Sequence, residues 1–348
     1  MRVLIKGAGV AGLTLAHELA ARGAEVEVAE TAAGPGGGAS WFAGGMLAPW
    51  CEAESAPEMV VTLGRGAAAW WDAALPGHVV RNGTLVVAPP RDTTELSRFA
   101  ALTSGFERLE EKAIEVLEPA LAERFRTALF FRGEAHLDPR RAMASLNAKL
   151  TAMGVRFHFG ADADHPRSGF DHVVDCTGAS AIGRTPELRG VRGEMLVLET
   201  AEIALSRPVR LLHPRIPLYI VPRGDNRFTI GATMIESDDP GPISARSLME
   251  LLNAAYALHP AFGEARLVET GAGVRPAYPD NLPRWTRDRD IIRLNGFYRH
   301  GFLLAPSLAS ALAAEITGAQ LDNSETSPPR PYPAWVNPDQ PLQIGASR

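Results

Sequence analysis

The sequence predicts an α/β protein whose two ends build a parallel sheet around a mostly antiparallel insertion, and three observations carry that prediction. Strand, glycine turn, helix and strand follow one another within the first thirty residues. From Glu194 to Thr233 four strand patterns come in succession with no helix between them. The chain then returns to a strand at Ile291–Leu294 and a helix at Leu303–Thr317. A βαβ unit forces its strands parallel, whereas strands joined directly pair antiparallel.

Val3-Leu4-Ile5 is a short apolar run that stops at Gly7, and Leu13–Arg22 is an Ala-rich helix. Glu25–Glu30 alternates with the period of a strand. Helical patterns follow at Glu58–Ala74 and near Asp92–Glu118, with strands at Thr84–Ala88 and Ala128–Arg132. Asp138-Pro139 opens a helix to about Met153, since Asp is a good N-cap and proline's missing N–H is an orphan at the first helical position. Val155–Phe159 and His172–Cys176 are further short strands. The antiparallel run is Met195–Glu199, Val209–His213, Leu218–Val221 and Phe228–Ala232, followed by a helix over Ser244–His259. Asp322–Arg348, rich in Pro, Ser and Asn, is expected to lie extended.

The 348 residues leave room for about two domains. With 46% hydrophobic residues and a net charge of −5, wholesale disorder is excluded, and so is the basic field of a nucleic-acid binder. The two cysteines, Cys51 and Cys176, exclude a disulfide framework and a Cys-rich zinc site. Charged residues interrupt every apolar stretch, so no membrane span is expected and a cytoplasmic location is. Glu52, Glu54 and Asp72 show no metal-ligand spacing, no metal is expected, and Trp70-Trp71 reads as packing.

Gly7-Ala8-Gly9-Val10-Ala11-Gly12 is a G-x-G-x-x-G in its proper place, with a strand before it and a helix after it. Gly7 allows the tight turn, Gly9 lets backbone approach a pyrophosphate, and Gly12 lets helix and strand pack closely. The helix amides around Val10 and Ala11 face the phosphates with the positive end of the helix. Glu30 ends the second strand, where a carboxylate holds both ribose hydroxyls. A Rossmann-like dinucleotide site follows, and these residues alone leave FAD and NAD open.

Four further segments resemble the D-amino-acid oxidase group of FAD-dependent oxidoreductases. They are Ala39-Ser40-Trp41-Phe42-Ala43-Gly44-Gly45-Met46-Leu47-Ala48-Pro49, Asp175-Cys176-Thr177-Gly178, Gly273-Val274-Arg275-Pro276 with Asp280-Asn281-Leu282-Pro283, and Gly296–Pro306. Tyr219-Ile220-Val221-Pro222-Arg223 and Gly231-Ala232-Thr233-Met234 are similar to the glycine-oxidising branch that serves bacterial thiamin biosynthesis. The resemblance runs from Met1 to about Thr317.

It implies an FAD-binding domain from 1–75, 138–190 and 272–320, and a substrate domain from 76–137 and 191–271, with 321–348 as the tail. Ala39, Ser40, Gly45, Met46, Thr177 and Gly178 would then join the glycine motif at the cofactor. Arg299, His300, Gly301, Phe302 and Leu303 would complete it, with the helix N-terminus near the flavin's N1–C2=O2 edge. FAD would be non-covalent, since no cysteine follows Cys176. The expected reaction is oxidation of glycine or a similar small amino acid by hydride transfer to flavin N5, yielding an imino acid or glyoxylate, ammonia and, with O2, H2O2. Hand-off to a thiazole synthase and a homo-oligomeric state are open expectations.

A carboxylate is best anchored by the planar, two-pronged guanidinium of arginine, and the resemblance points to Arg275. Tyr219 would donate a second hydrogen bond, Met234 would wall the site beside Cα, and Arg299 would reach the flavin or the substrate edge. His300 and the two cysteines read as structural. Oxidation or dehydrogenation of sarcosine, D-amino acids or another secondary amine is the alternative, and a non-catalytic flavin-binding subunit is the alternative of another class. Two features depart from the family: Lys6 before the first glycine, and Arg284-Trp285-Thr286-Arg287-Asp288 where a short apolar-glycine turn is usual.

Overall fold

The computed structural model describes residues 1–161, 168–212 and 218–318. The expected tail and the last residue of the Val209–His213 strand lie outside them. Six strands form one sheet in the order Arg284–Asp288, Ile291–Asn295, His172–Asp175, Arg2–Lys6, Glu25–Glu30 and Arg156–Phe159. Its pairs are parallel except for the antiparallel edge hairpin of Arg284–Asp288 with Ile291–Asn295. Val3, Leu4 and Ile5 of the central strand are fully buried, which is why that strand reads as a continuous apolar run rather than an alternating one.

The helices Val10–Ala21 and Gly301–Thr317 lie against each other in the core beside this sheet, with Pro139–Ala152 next to the first. Small residues such as Ala16, Ala305, Ala309 and Ala313, all fully buried, keep the layer tight. Trp71 is wholly buried and donates Nε1 to the carbonyl of Phe302 at 2.9 Å, while Trp70 donates to Glu18 at 2.7 Å. Both are packing residues, as their helical spacing suggested.

Asp138 caps its helix as expected, accepting the N–H groups of Arg140 (2.9 Å) and Arg141 (3.1 Å). Asp138→Ala should therefore cost about 1 kcal/mol, or roughly 2 °C in Tm. An unchanged thermal midpoint would contradict the role of this cap.

Among the described residues the second sheet has nine strands. Eight run in the order Ile235–Glu236, Arg189–Glu199, Arg227–Gly231, Leu218–Gly224, Val209–Leu211, Thr84–Val87, Thr127–Phe131 and Glu107–Glu110. The ninth, Arg266–Ala277, pairs antiparallel with Arg189–Glu199 along its whole length. Only Val209–Leu211 with Thr84–Val87 is a parallel pair. The helix Ala245–Leu258 buries Leu251, Ala254, Ala255 and Leu258 in this sheet's core.

The elements differ from expectation in several places, of which four follow. Glu58–Ala74 is two helices, Glu58–Gly64 and Ala67–Ala74, broken at Arg65-Gly66. The region near Asp92–Glu118 holds a strand, Glu107–Glu110, between the helices Thr93–Leu102 and Glu111–Leu117. The final helix begins at Gly301, two residues before Leu303. Arg284–Asp288, the departure from the family pattern, is an edge strand rather than a turn. Its Trp285 and Arg287 donate to Glu315 of the final helix at 3.1 and 2.5 Å, and none of its five residues lines the central cavity.

Candidate active site and cofactor cradle

A cavity of about 890 Å³ runs between the two sheets. All the residues expected at the cofactor and substrate line it except Gly12, which lies just beneath. At the first sheet the chain turns sharply: Gly7 has φ +99°, and a Cβ there would meet the carbonyl of Cys176 at 2.6 Å. A Cβ on Gly12 would stand 1.9 Å from the Gly7 carbonyl, so this glycine brings the helix against the turn. Ser40 Oγ accepts the Val10 N–H at 3.1 Å, and Glu30 Oε2 accepts the Ala8 N–H at 2.7 Å. Asp175 Oδ1 accepts from the backbone N–H (3.0 Å) and hydroxyl (2.6 Å) of Thr177, which orders the second cofactor-side turn.

The final helix starts in the same cavity. His300, its N-cap, gives no side-chain cap, so the first-turn amides of Gly301, Phe302 and Leu303 present the positive helix end to the cavity. Gly301 lies under Val10, where a Cβ would come to 3.1 Å of Cγ1. Two helix N-termini, a glycine cradle and a carboxylate at the second strand end are the donor set that a dinucleotide with a reducible ring requires. The residues present fit FAD.

The far wall belongs to the second sheet. Arg275 folds across the neighbouring strand at Gly193 and donates Nη1 to the carbonyl of Thr233 at 3.0 Å. Burial works against its charge, with Tyr219 and Tyr298 nearby. Arg275 has no carboxylate partner among the described residues. The Tyr219 ring lies flush on Gly44 and Gly231, where a Cβ on either would come within 2.7 Å of it. Arg223 fixes the Gly44 loop, donating to the carbonyls of Gly44 at 2.6 Å and Leu137 at 2.9 Å. Burial pushes the Tyr219 phenol up, so it stays a hydrogen-bond donor.

A Cβ at Gly193 would sit 2.1 Å from Arg275 Nη2. Gly193→Ala should fold and bind cofactor, because the guanidinium can swing away, yet raise the substrate KM about tenfold or more. An unaltered KM would show that the guanidinium's resting place is unimportant.

Met234 is about half exposed in the cavity, where its sulfur takes a contact from the Tyr298 hydroxyl at 3.4 Å and one from Arg299 Nη1 at 3.6 Å. Arg299 is not a free cation. Its Nη2 donates to Glu52 Oε2 at 2.5 Å and to Ser55 Oγ at 2.7 Å. Burial would raise the Glu52 carboxyl, but Arg299 and Arg210 outweigh it and hold the group down at about 2. Burial brings the His300 imidazole down to about 4, so it is neutral, with Nδ1 3.5 Å from the same carboxylate. Glu52, Arg210 and Gly193 are the site residues that sequence reasoning missed. No spacing links positions 52, 210 and 299, and glycine 193 looks like any strand glycine.

Behind the short Pro49–Glu52 helix, the buried Glu134 accepts the Cys51 N–H at 2.7 Å through Oε1, with the Thr84 hydroxyl beside its carboxyl. Burial pushes its carboxyl from 4.5 up to about 7. The fold thus holds a proton that the unfolded chain releases near 4.5, a contribution fully present below that pH and lost as pH rises through about 7. Glu134→Gln, compared with the unaltered protein, should gain in Tm as pH rises across that window. Parallel Tm profiles would contradict this. The Cys51 and Cys176 thiols are pushed well up by burial and are inert, as expected.

A family model, DAO, described as FAD dependent oxidoreductase, matches residues 2–315. The chain belongs to the DAO family. A Rhizobium etli protein assigned to thiamine biosynthesis as the oxidoreductase ThiO is 66% identical over 92% of this chain and 98% of its own. A bifunctional ThiO/ThiG protein of Nostoc is 27% identical over 92% of this chain and 53% of its own length. The crystal structure of glycine oxidase from Geobacillus kaustophilus has 25% identity and a TM-score of 0.76, covering 95% of this chain and 99% of that one. As a DAO-family member the protein is an FAD-dependent oxidoreductase. Among the described residues no helix is long and apolar enough to cross a membrane.

Proposed function

We propose that this DAO-family enzyme oxidises glycine, or a similarly small amino acid, to its imino acid for use in thiamin biosynthesis. Arg275 carries the reading: it is a guanidinium opening on the cavity, backed by a protonated tyrosine, with no carboxylate partner among the described residues. The 66% identical ThiO relative and the glycine oxidase structure support the choice of substrate and pathway.

Bound FAD supplies a two-electron acceptor at N5, and O2 takes the electrons on to H2O2. Arg275 holds the substrate carboxylate through two parallel hydrogen bonds, and Tyr219 donates a third. With the carboxylate fixed, Met234 confines Cα, and the neutral amine's lone pair closes the C=N bond as the α-hydride leaves. One N–H proton passes to solvent. The first-turn amides of Gly301, Phe302 and Leu303 favour negative charge on the edge of whatever ring lies above them. Hydrolysis of the imino acid gives glyoxylate and ammonia, and the joined ThiO/ThiG relative supports a direct hand-off to a thiazole synthase instead.

The test is the visible spectrum of the FAD-loaded protein during anaerobic additions of glycine, sarcosine, D-alanine and D-proline. Glycine is expected to bleach the long-wavelength flavin band, and air to restore it with H2O2. Faster bleaching by sarcosine or D-proline would move the substrate to secondary amines. A band that no amine bleaches would overturn the proposal.

A further inference from the structure

Three arginines line the cavity near its substrate end, Arg275, Arg299 and Arg210, and Glu52 lines it among them. Arg275 and Arg299 flank one short segment: the first donates to the carbonyl of Thr233 and the second touches the sulfur of Met234. Two guanidinia so placed could take two carboxylates of one substrate. They differ in one respect. Arg275 has no acidic partner among the described residues, whereas Glu52 takes Arg299 at 2.5 Å and stands 3.5 Å from Arg210. Arg210 in turn lies 3.4 Å from Glu54, which receives Arg98 at 2.9 Å from the protein surface.

On the amino-acid oxidation reading above, we infer that Glu52 is the residue that restricts this site to substrates with a single carboxylate. It occupies the guanidinium of Arg299 and sets its own negative charge where a second carboxylate would have to lie. A dicarboxylic amine would have to displace Glu52 from a charge-assisted pair and then face it as a like charge. A monocarboxylic one meets neither obstacle. The short Pro49–Glu52 helix delivers Glu52 to the cavity, and Ser55 holds Arg299 from the same segment, so the block is built into the wall. Specificity here is made by an occupied partner rather than by a missing one.

The test uses non-reacting carboxylates on the FAD-loaded protein, followed by the perturbation of the oxidised flavin spectrum, so it reads charge selectivity whether or not any amine is oxidised. Acetate should bind more tightly than malonate or succinate to the unaltered protein. In Glu52→Gln the ratio of acetate Kd to succinate Kd should rise about tenfold, because a guanidinium released from its pair can make charge-assisted bonds to the second carboxylate. The double variant Glu52→Gln/Arg299→Met should lose that gain. Tighter binding of malonate or succinate by the unaltered protein overturns the inference without any variant. A ratio unchanged in Glu52→Gln, or a gain that survives in the double variant, overturns it as well. If these ratios behave as expected while no amine bleaches the flavin, the charge filter stands and the amino-acid oxidase reading falls.

Discussion

Arg275→Ala is expected to raise the amino-acid KM by two to three orders of magnitude while the protein remains yellow and folded. Charge-assisted hydrogen bonds to a carboxylate contribute about 1.5–3 kcal/mol each, and at the lower end of that range losing two costs roughly 3–4 kcal/mol of binding, or a factor of about 10² to 10³. Among the described residues Arg275 donates to the backbone carbonyl of Thr233, on the wall away from the glycine turn, so FAD retention should be unaffected. Arg275→Lys should recover only part of the loss, since an ammonium keeps the charge and gives up the planar two-pronged contact. Steady-state kinetics together with the flavin-to-protein absorbance ratio separate the two effects. A flavin-loaded Arg275→Ala protein with the KM of the unaltered enzyme would remove Arg275 from the anchor role.

Gly12→Ala should do the reverse and strike the cofactor first. The new methyl would lie 1.9 Å from the carbonyl oxygen of Gly7, a backbone atom that has no rotamer to move to. Either the first helix shifts along the sheet or the glycine turn opens, and each displaces the amides that face the pyrophosphate. Overpacking of this kind costs about 3 kcal/mol, and here it also loosens binding of a ligand that stabilises the fold by mass action. The purified variant is expected to be largely colourless and to melt several degrees lower. Full FAD occupancy with an unchanged Tm would contradict the packing role of Gly12.

Much of the fold was legible because it rests on periodicity. The apolar run Val3–Ile5, the glycine turn and the alternating strand after it are local patterns, and each lies where the sequence placed it. The first half of Arg266–Ala277 was illegible for the opposite reason. Residues 266–268 are exposed, so no buried face imposes a period, and pairing with Arg189–Glu199 alone makes them a strand. Glu107–Glu110 is hidden in the same way, four polar-rich residues at a sheet edge between two helices. At the site, residue types tied to backbone shape could be read, such as the glycines of the cradle. Glu52 could not, because its meaning depends on Arg299 and Arg210, which the fold brings to it from 247 and 158 residues away.

The layering of the first sheet has a consequence for how the protein comes into being. Its helix Val10–Ala21 has the final helix Gly301–Thr317 as its main packing partner, and the last of its strands to be made are the hairpin 284–295. Closing a loop of almost 300 residues comes late and is slow, since its entropy must be lost before any contact compensates. During synthesis the dinucleotide turn therefore precedes the second sheet and stays half-built, its apolar helix face uncovered, while that sheet is translated. The second sheet can assemble in that interval, but the cradle cannot be closed until Gly301 arrives beneath Val10. Synthesis of the Gly301–Thr317 helix is in effect the gate for cofactor loading, and a nascent chain stalled before it is the form most exposed to aggregation and proteolysis.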